Sequence, residues 1–178
     1  MSFFDWLQAR RAATEEQSEV EAVRRIADGL DHLDPLRARY LAAFAYLLGR
    51  VAGADRRITD IETQAMERIV RELGGLTEAQ AVVVVQIAKT ETLLFGGTED
   101  FRVAQEFREL ASTEEKLALM RCLFAVSAAD DSVDHAEDNE IRRISIELRV
   151  PHEEFVAARA AVRDKLAVLR PDPGQGPG

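Results

Sequence analysis

Apolar residues recur at helical spacing through most of the chain. Residues 16–33 carry one apolar face, and residues 98–111 repeat the pattern. An Asp cap followed by a proline, as at Asp34 and Pro35, is a typical helix start. The first N–H groups of a helix have no acceptor within the helix, so a proline, which has no N–H, costs no hydrogen bond there. Three further starts match the capping box, in which Ser or Thr precedes Glu or Gln by three residues: Thr59 with Glu62, Thr77 with Gln80, and Ser112 with Glu115.

The stretch "AVVVVQIA" at residues 81–88 is rich in β-branched residues, as a strand would be. It follows the capping box at Thr77, however, and continues into Lys89, Glu91 and Leu93 at helical density. The sequence offers no second strand to pair with it, and a lone strand leaves its backbone N–H and C=O groups without partners. We therefore predict a buried helix here and an all-α fold class.

Two acidic stretches, "AGADRRITD" and "SAADDSVDH", align without gaps. Asp55 falls on Asp130 and Glu62 on Glu137, at one offset of 75 residues (130 − 55 and 137 − 62). Apolar positions match in the same register: Ile58 with Val133, Met66 with Ile141, Ile69 with Ile144, and Leu73 with Leu148. Repeats of this length are supersecondary units that bury their apolar faces against each other. The sequence thus predicts a compact bundle of about seven to nine helices, built from a duplicated three-helix unit with repeats at about 36–94 and 112–169.

Both copies share Ala-Asp-x-x-(Ile/Val)-(Thr/Asp)-x-x-Glu at the acidic turn. This pattern resembles the "ADG-x-I…E" turn of the tellurite-resistance TerB family, including the related domain of membrane-anchored DnaJ-like co-chaperones; the start "FFDWL" adds to the resemblance, which covers about 36–169. It implies an all-helical bundle from bacterial stress and metal-resistance systems, with acidic turns that are candidates for divalent cations. It does not imply an established enzymatic activity. The chain departs from the pattern where Arg56 and Asp131 replace a glycine that would permit left-handed turn geometry.

The second acidic turn is the better candidate for a calcium or magnesium ion. Both ions prefer several oxygen ligands, and Asp130, Asp131, Asp134 and Glu137 are close enough in sequence to converge. His135 alone does not make a zinc or iron site.

The first turn offers Asp55 and Glu62, but Arg56 and Arg57 replace the matching acids and oppose a cation there. A reading without metal stays open for both turns. Asp134 and Glu137 have the spacing of an N-cap and its N3 acid, and acids near a helix N-terminus are stabilised by the helix dipole.

Composition narrows the function classes. The net charge is −9, which argues against a nucleic-acid partner because phosphate neutralisation needs a basic surface. Cys122 is the single cysteine, so no intrachain disulfide or thiol redox pair can form. The di-metal, zinc-protease, phosphate-loop and nucleophile-elbow motifs are all missing from the sequence, so we predict no enzyme.

The chain divides into N-terminal helices at 1–33 that pack on or flank the bundle, one domain at 34–169, and a Pro/Gly-rich tail at 170–178 expected to be disordered. The start lacks the pattern of an export signal, so a cytoplasmic location is expected. Contact with the inner face of the membrane is an alternative that would involve only four residues: Phe3, Phe4, Trp6 and Leu7.

Two functions follow as expectations. In the first, the protein is a non-catalytic binding module of a bacterial stress or tellurite resistance system, with a protein partner and a divalent cation at the second turn. In the second, it is a structural protein-interaction domain without metal, peripheral to the membrane and similar to a co-chaperone domain.

Overall fold

The computed structural model describes residues 31–52, 58, 60–94, 100–129 and 135–169. Helix α1 (Pro35–Val51) is central in this part of the chain, since every residue from Tyr40 to Gly49 is buried. A helix that is buried on all sides needs other elements around it. The carboxylate of Asp34 accepts the backbone N–H of Arg37 (3.2 Å), which confirms the predicted start.

In the described part of the chain, six further helices surround or extend from α1. They are α2 (Asp60–Gly74), α3 (Glu78–Leu94), α4 (Asp100–Leu110), α5 (Thr113–Ala129), α6 (His135–Glu147) and α7 (His152–Leu169). Helix α1 packs against α3, α4, α5 and α6, while α5 also packs against α2 and α7. No strand occurs among the described residues, so the all-α bundle is confirmed, and residues 81–88 lie inside α3 as predicted.

Two predicted capping boxes are present in full. The Gln80 N–H donates to Thr77 Oγ1 and the Thr77 N–H donates to Gln80 Oε1, both at 3.3 Å. At the start of α5, the Glu115 N–H donates to Ser112 Oγ (3.2 Å) and the Ser112 N–H donates to Glu115 Oε2 (2.8 Å). Each box satisfies two backbone donors that the first helical turn would otherwise leave unpaired.

The described helices on either side of α4 form two groups of three. Helices α1, α2 and α3 precede α4, and α5, α6 and α7 follow it. Helix α2 begins at Asp60 and α6 at His135, while α3 ends at Leu94 and α7 at Leu169, so both pairs of ends are 75 residues apart. That the two halves arose by duplication stays a prediction.

Helices α1 and α5 run in the same direction. Arg37 pairs with Glu115 (3.3 Å), and further along both helices Phe44 and Cys122 are neighbours of the same residue, Gly74. The two residues of each pair are separated by the same number of positions in the sequence, and so are Val51 and Ala129, the last residues of α1 and α5. The two helices therefore end at the same side of the bundle. We call this end of the bundle, which also holds Arg50 and the first turn of α6, the acidic end.

Several predictions fall outside the described residues. They concern residues 16–30 of the helix predicted over 16–33, the aromatic start with Phe3, Phe4, Trp6 and Leu7, the capping residue Thr59, and the tail at 170–178. Within the described ranges, no helix is both long and apolar enough to cross a lipid bilayer.

Candidate functional site

The six predicted metal ligands divide between described and undescribed parts of the chain. Asp55, Asp130, Asp131 and Asp134 lie outside the described residues. Glu62 and Glu137 are described, and each lies in the first turn of a helix, α2 and α6 respectively. The residues that precede these helices, 53–57 and 130–134, are named here the first and second acidic segments.

The Glu137 side chain at the start of α6 is hydrogen-bonded to the end of α5, the helix that precedes the second acidic segment. Its Oε2 accepts a hydrogen bond from the Ser127 hydroxyl at 2.8 Å. Ser127 lies in the last turn of α5 and is buried. Helices α5 and α6 are therefore joined at the point where the second acidic segment connects them, and a carboxylate is held there.

The residues that follow Glu62 and Glu137 each contact a basic side chain on the next helix, α3 and α7 respectively. In the first copy, Lys89 Nζ donates to Thr63 Oγ1 at 2.9 Å. In the second copy, Arg159 Nη2 lies 2.8 Å from Asp138 Oδ1. The basic side chain thus meets a neutral hydroxyl between α2 and α3 but a carboxylate between α6 and α7.

A buried arginine at the acidic end is a feature that the sequence patterns did not reveal. The Arg50 side chain is 4% exposed, and its guanidinium faces three carboxylates on α4 and α6. It donates from Nε to Glu140 (2.7 Å) and from Nη1 to Glu147 (2.8 Å), and Asp100 lies 3.7 Å from Nε. We call these four residues the Arg50 cluster.

The environment of Arg50 acts on its charge in two opposite ways. Burial, the largest effect, disfavours the charged guanidinium, but the hydrogen bond to Glu147 and the charges of Asp100 and Glu140 together outweigh it, so the pKa of Arg50 is raised. The guanidinium therefore stays positive inside the bundle. One feature of the sequence could have indicated this cluster. Arg50 is a charged residue near the end of an apolar helix, and a charged side chain on a buried helix needs a partner of opposite charge.

Cys122 shows no sign of chemical reactivity. The residue is fully buried in the core, and its Sγ lies 3.8 Å from the carbonyl oxygen of Ile69. Burial raises the pKa of the thiol to about 12, although Arg121 acts in the opposite direction. The neutral thiol is therefore the form present at ordinary pH, and it is a poor nucleophile.

Across residues 31–52, 58, 60–94, 100–129 and 135–169, no group of three or more His, Cys, Asp or Glu side chains is arranged to hold a metal ion. Of the predicted second-turn ligands, only Glu137 is among these residues, and its carboxylate oxygens suit a hard cation such as calcium or magnesium.

Comparison with known proteins gave one family. Residues 40–160 match the family described as Tellurite resistance protein TerB. Comparisons with curated proteins and with solved structures gave no match. The matched region runs from the first buried residues of α1 into α7, and so includes both acidic segments and the Arg50 cluster.

Proposed function

Because this chain belongs to the tellurite resistance protein TerB family, we propose that it acts as a non-catalytic binding module in a bacterial response to tellurite or related metalloid stress. In this proposal the second acidic segment binds a divalent cation, calcium or magnesium, through Asp130, Asp131, Asp134 and Glu137. The bound cation sets the angle between α5 and α6, and that angle determines which helix faces are available to a protein partner.

The Ser127–Glu137 hydrogen bond is the observation that carries this proposal. It holds one carboxylate at the start of α6, next to a segment that supplies three more acids. A ligand that is already oriented loses less conformational entropy on binding, and the same contact links any movement of the segment to both helices.

The local charges favour the second segment over the first. Between α6 and α7, the carboxylate of Asp138 compensates the charge of Arg159. In the first copy, the ammonium of Lys89 lies on the hydroxyl of Thr63, and Arg56 and Arg57 add two more positive charges in the sequence. A cation at the first segment would therefore meet more repulsion.

A direct role in tellurite reduction has little support. Such a role would need a reactive thiol or a bound redox group, and Cys122 is a buried, protonated, single thiol. The proposed contribution to resistance is therefore binding, without thiol chemistry at Cys122.

Isothermal titration of chelator-treated protein with calcium, magnesium, manganese and zinc tests the cation site. We expect a stoichiometric site for calcium or magnesium that is lost in the variant Asp130→Asn/Glu137→Gln. The matched control is Asp55→Asn/Glu62→Gln, which makes the same changes in the first copy and should leave the site intact. No heat change up to millimolar metal would refute the cation proposal.

The role in the host is tested by deleting the gene and measuring growth at graded tellurite concentrations. We expect the deletion to lower the tolerated concentration. Wild-type protein should restore growth, and Asp130→Asn/Glu137→Gln should fail to do so at equal abundance. Unchanged growth of the deletion strain would contradict the stress-resistance role.

The second candidate function is a protein-interaction domain without metal, peripheral to the inner face of the membrane. It is favoured by two large apolar side chains that are exposed to solvent on α4 and α6, two helices that pack against each other. Phe101 is 65% exposed and Ile146 is 71% exposed. Under this proposal the acidic segments only cap helices, so Asp130→Asn/Glu137→Gln costs about 0.5–2 kcal/mol for each lost cap, with or without metal. If the N-terminal residues contact the membrane, the intact protein should bind anionic liposomes, and deletion of residues 1–9 should abolish that binding.

A further inference from the structure

Arg50 connects three helices at the acidic end. It belongs to the last turn of α1, its partner Asp100 is the first residue of α4, and Glu140 and Glu147 lie two turns apart on α6. The guanidinium presents its donors in a rigid planar fork and so bonds to several carboxylates in fixed directions, whereas a lysine ammonium acts as a compact point charge.

The carboxylates of the Arg50 cluster are themselves held in place. The Tyr46 hydroxyl donates to Asp100 Oδ1 at 3.0 Å, and Arg143 Nη1 lies 3.6 Å from Glu140 Oε2. Arg108 Nη1 donates to the backbone carbonyl of Glu147 at 3.4 Å. The side chains of Asp100, Glu140 and Glu147 are each less than one quarter exposed. Because little water reaches these groups, removing the Arg50 side chain would leave partly buried carboxylates without their shared cation.

We propose that Arg50 is a positioning residue that couples the C-terminal end of α1 to the orientation of α6. Arg50 lies in the last turn of α1 and holds α6 through Glu140 and Glu147. Loss of its side chain should therefore loosen the end of α1 and α6 together. The part of this inference that concerns cation affinity rests on the proposed function; the coupling itself does not.

The other end of α1 provides a matched control. Arg37 also joins three helices, since it reaches Gln80 on α3 and Glu115 on α5, both at 3.3 Å. Its side chain is 32% exposed and lies at the N-terminal end of α1, at the opposite end of that helix from Arg50. Loss of Arg37 should therefore weaken the bundle without affecting the orientation of α6.

Amide hydrogen exchange of the full chain tests the coupling without any metal. We compare Arg50→Gln, Arg50→Lys and Arg37→Gln with the wild type. In Arg50→Gln, exchange should become about tenfold faster or more at the start of α6 and at the end of α1, beyond any change shared by the core of α5. Arg50→Lys keeps the charge but not the fork, so its effect should be intermediate; it also serves if Arg50→Gln does not fold.

Calcium titration of the same proteins tests the link to the proposed site. Both Arg50 variants should bind calcium at least about tenfold more weakly than the wild type, while Arg37→Gln should bind as the wild type does. If the wild type binds no calcium, the proposed function fails, and the exchange experiment alone decides the coupling. If the wild type binds and all variants bind equally, or if exchange rises uniformly in Arg50 and Arg37 variants alike, the coupling is wrong.

Discussion

The carboxylate of Glu115 joins α5 to α1 through Arg37. Its Oε1 lies 3.3 Å from Arg37 Nη1, while its Oε2 accepts the backbone N–H of Ser112. The same guanidinium reaches Gln80, which is the matching residue of the capping box of α3. One arginine thus links the starts of three helices, and it does so through side chains that already cap two of them.

Truncation of Glu115 should therefore cost more than an ordinary surface change. We expect Glu115→Ala to lower the free energy of unfolding by about 1 kcal/mol, mostly through the lost cap, because the ion pair is partly exposed and contributes little. Glu115→Gln keeps an acceptor for Ser112 and should cost less than half as much. Urea unfolding measures both, with Glu114→Ala as the exposed neighbouring control. Equal losses for Ala and Gln would show that charge matters more than the cap.

Arg149 ends α6 in the left-handed region, with φ 55°. Its N–H donates to Ile146 O (3.0 Å) and the Val150 N–H donates to Ser145 O (2.9 Å), which is the pattern of a Schellman C-cap. Since glycine adopts this conformation without the steric cost of a Cβ, we predict that Arg149→Gly stabilises the protein by about 1 kcal/mol.

Gly75, which follows α2 with φ 66°, is the reverse control. A Cβ there would meet no atom within 4 Å, so Gly75→Ala tests backbone conformation alone and should destabilise by about 1 kcal/mol. Denaturant unfolding of both variants measures the two effects. Loss of stability in Arg149→Gly would mean that the arginine side chain makes a contact that outweighs the backbone cost.

Gly74 marks a close approach between helices. A Cβ at this position would lie 3.3 Å from Cys122 Sγ and 3.3 Å from Phe44 Cζ, two buried side chains. Overpacking there should outweigh the gain in helix propensity, so we predict that Gly74→Ala lowers stability by about 1 kcal/mol. Adding Cys122→Ala should recover part of that loss, since it removes the crowded sulfur. Strictly additive effects of the two substitutions would contradict this packing account.

The buried Cys122 thiol should make the protein sensitive to alkaline pH. Burial raises the folded-state pKa to about 12, so the unfolded chain ionises first, near the ordinary thiol pKa of about 8.5. The thiol's contribution to stability is therefore complete below that pH and is lost as the pH rises from there to about 12. Linkage predicts a loss of about 2 kcal/mol by pH 10. Urea unfolding between pH 7 and pH 10 measures it, and Cys122→Ala should show a smaller slope; equal slopes would assign the loss to other groups.

Local signals in the sequence predicted the helices well because each signal is a short-range interaction. The boxes at Thr77 and Ser112, and the Asp34–Pro35 start, depend only on residues three positions apart. The β-branched run in α3 was correctly assigned as helix because no partner strand existed. The candidate site was harder to predict. Arg50 meets Asp100, Glu140 and Glu147 from remote parts of the chain, and only the packing of α1 against α4 and α6 brings them together.

The most direct test of the central claim is the melting temperature of chelator-treated protein with and without millimolar calcium. A ligand that binds only the folded state stabilises it by about 2.7 kcal/mol when its concentration is one hundred times the dissociation constant. We predict a clear rise for the wild type and for Asp55→Asn/Glu62→Gln, and none for Asp130→Asn/Glu137→Gln. A melting temperature that calcium and magnesium leave unchanged in the wild type would contradict the cation-responsive account.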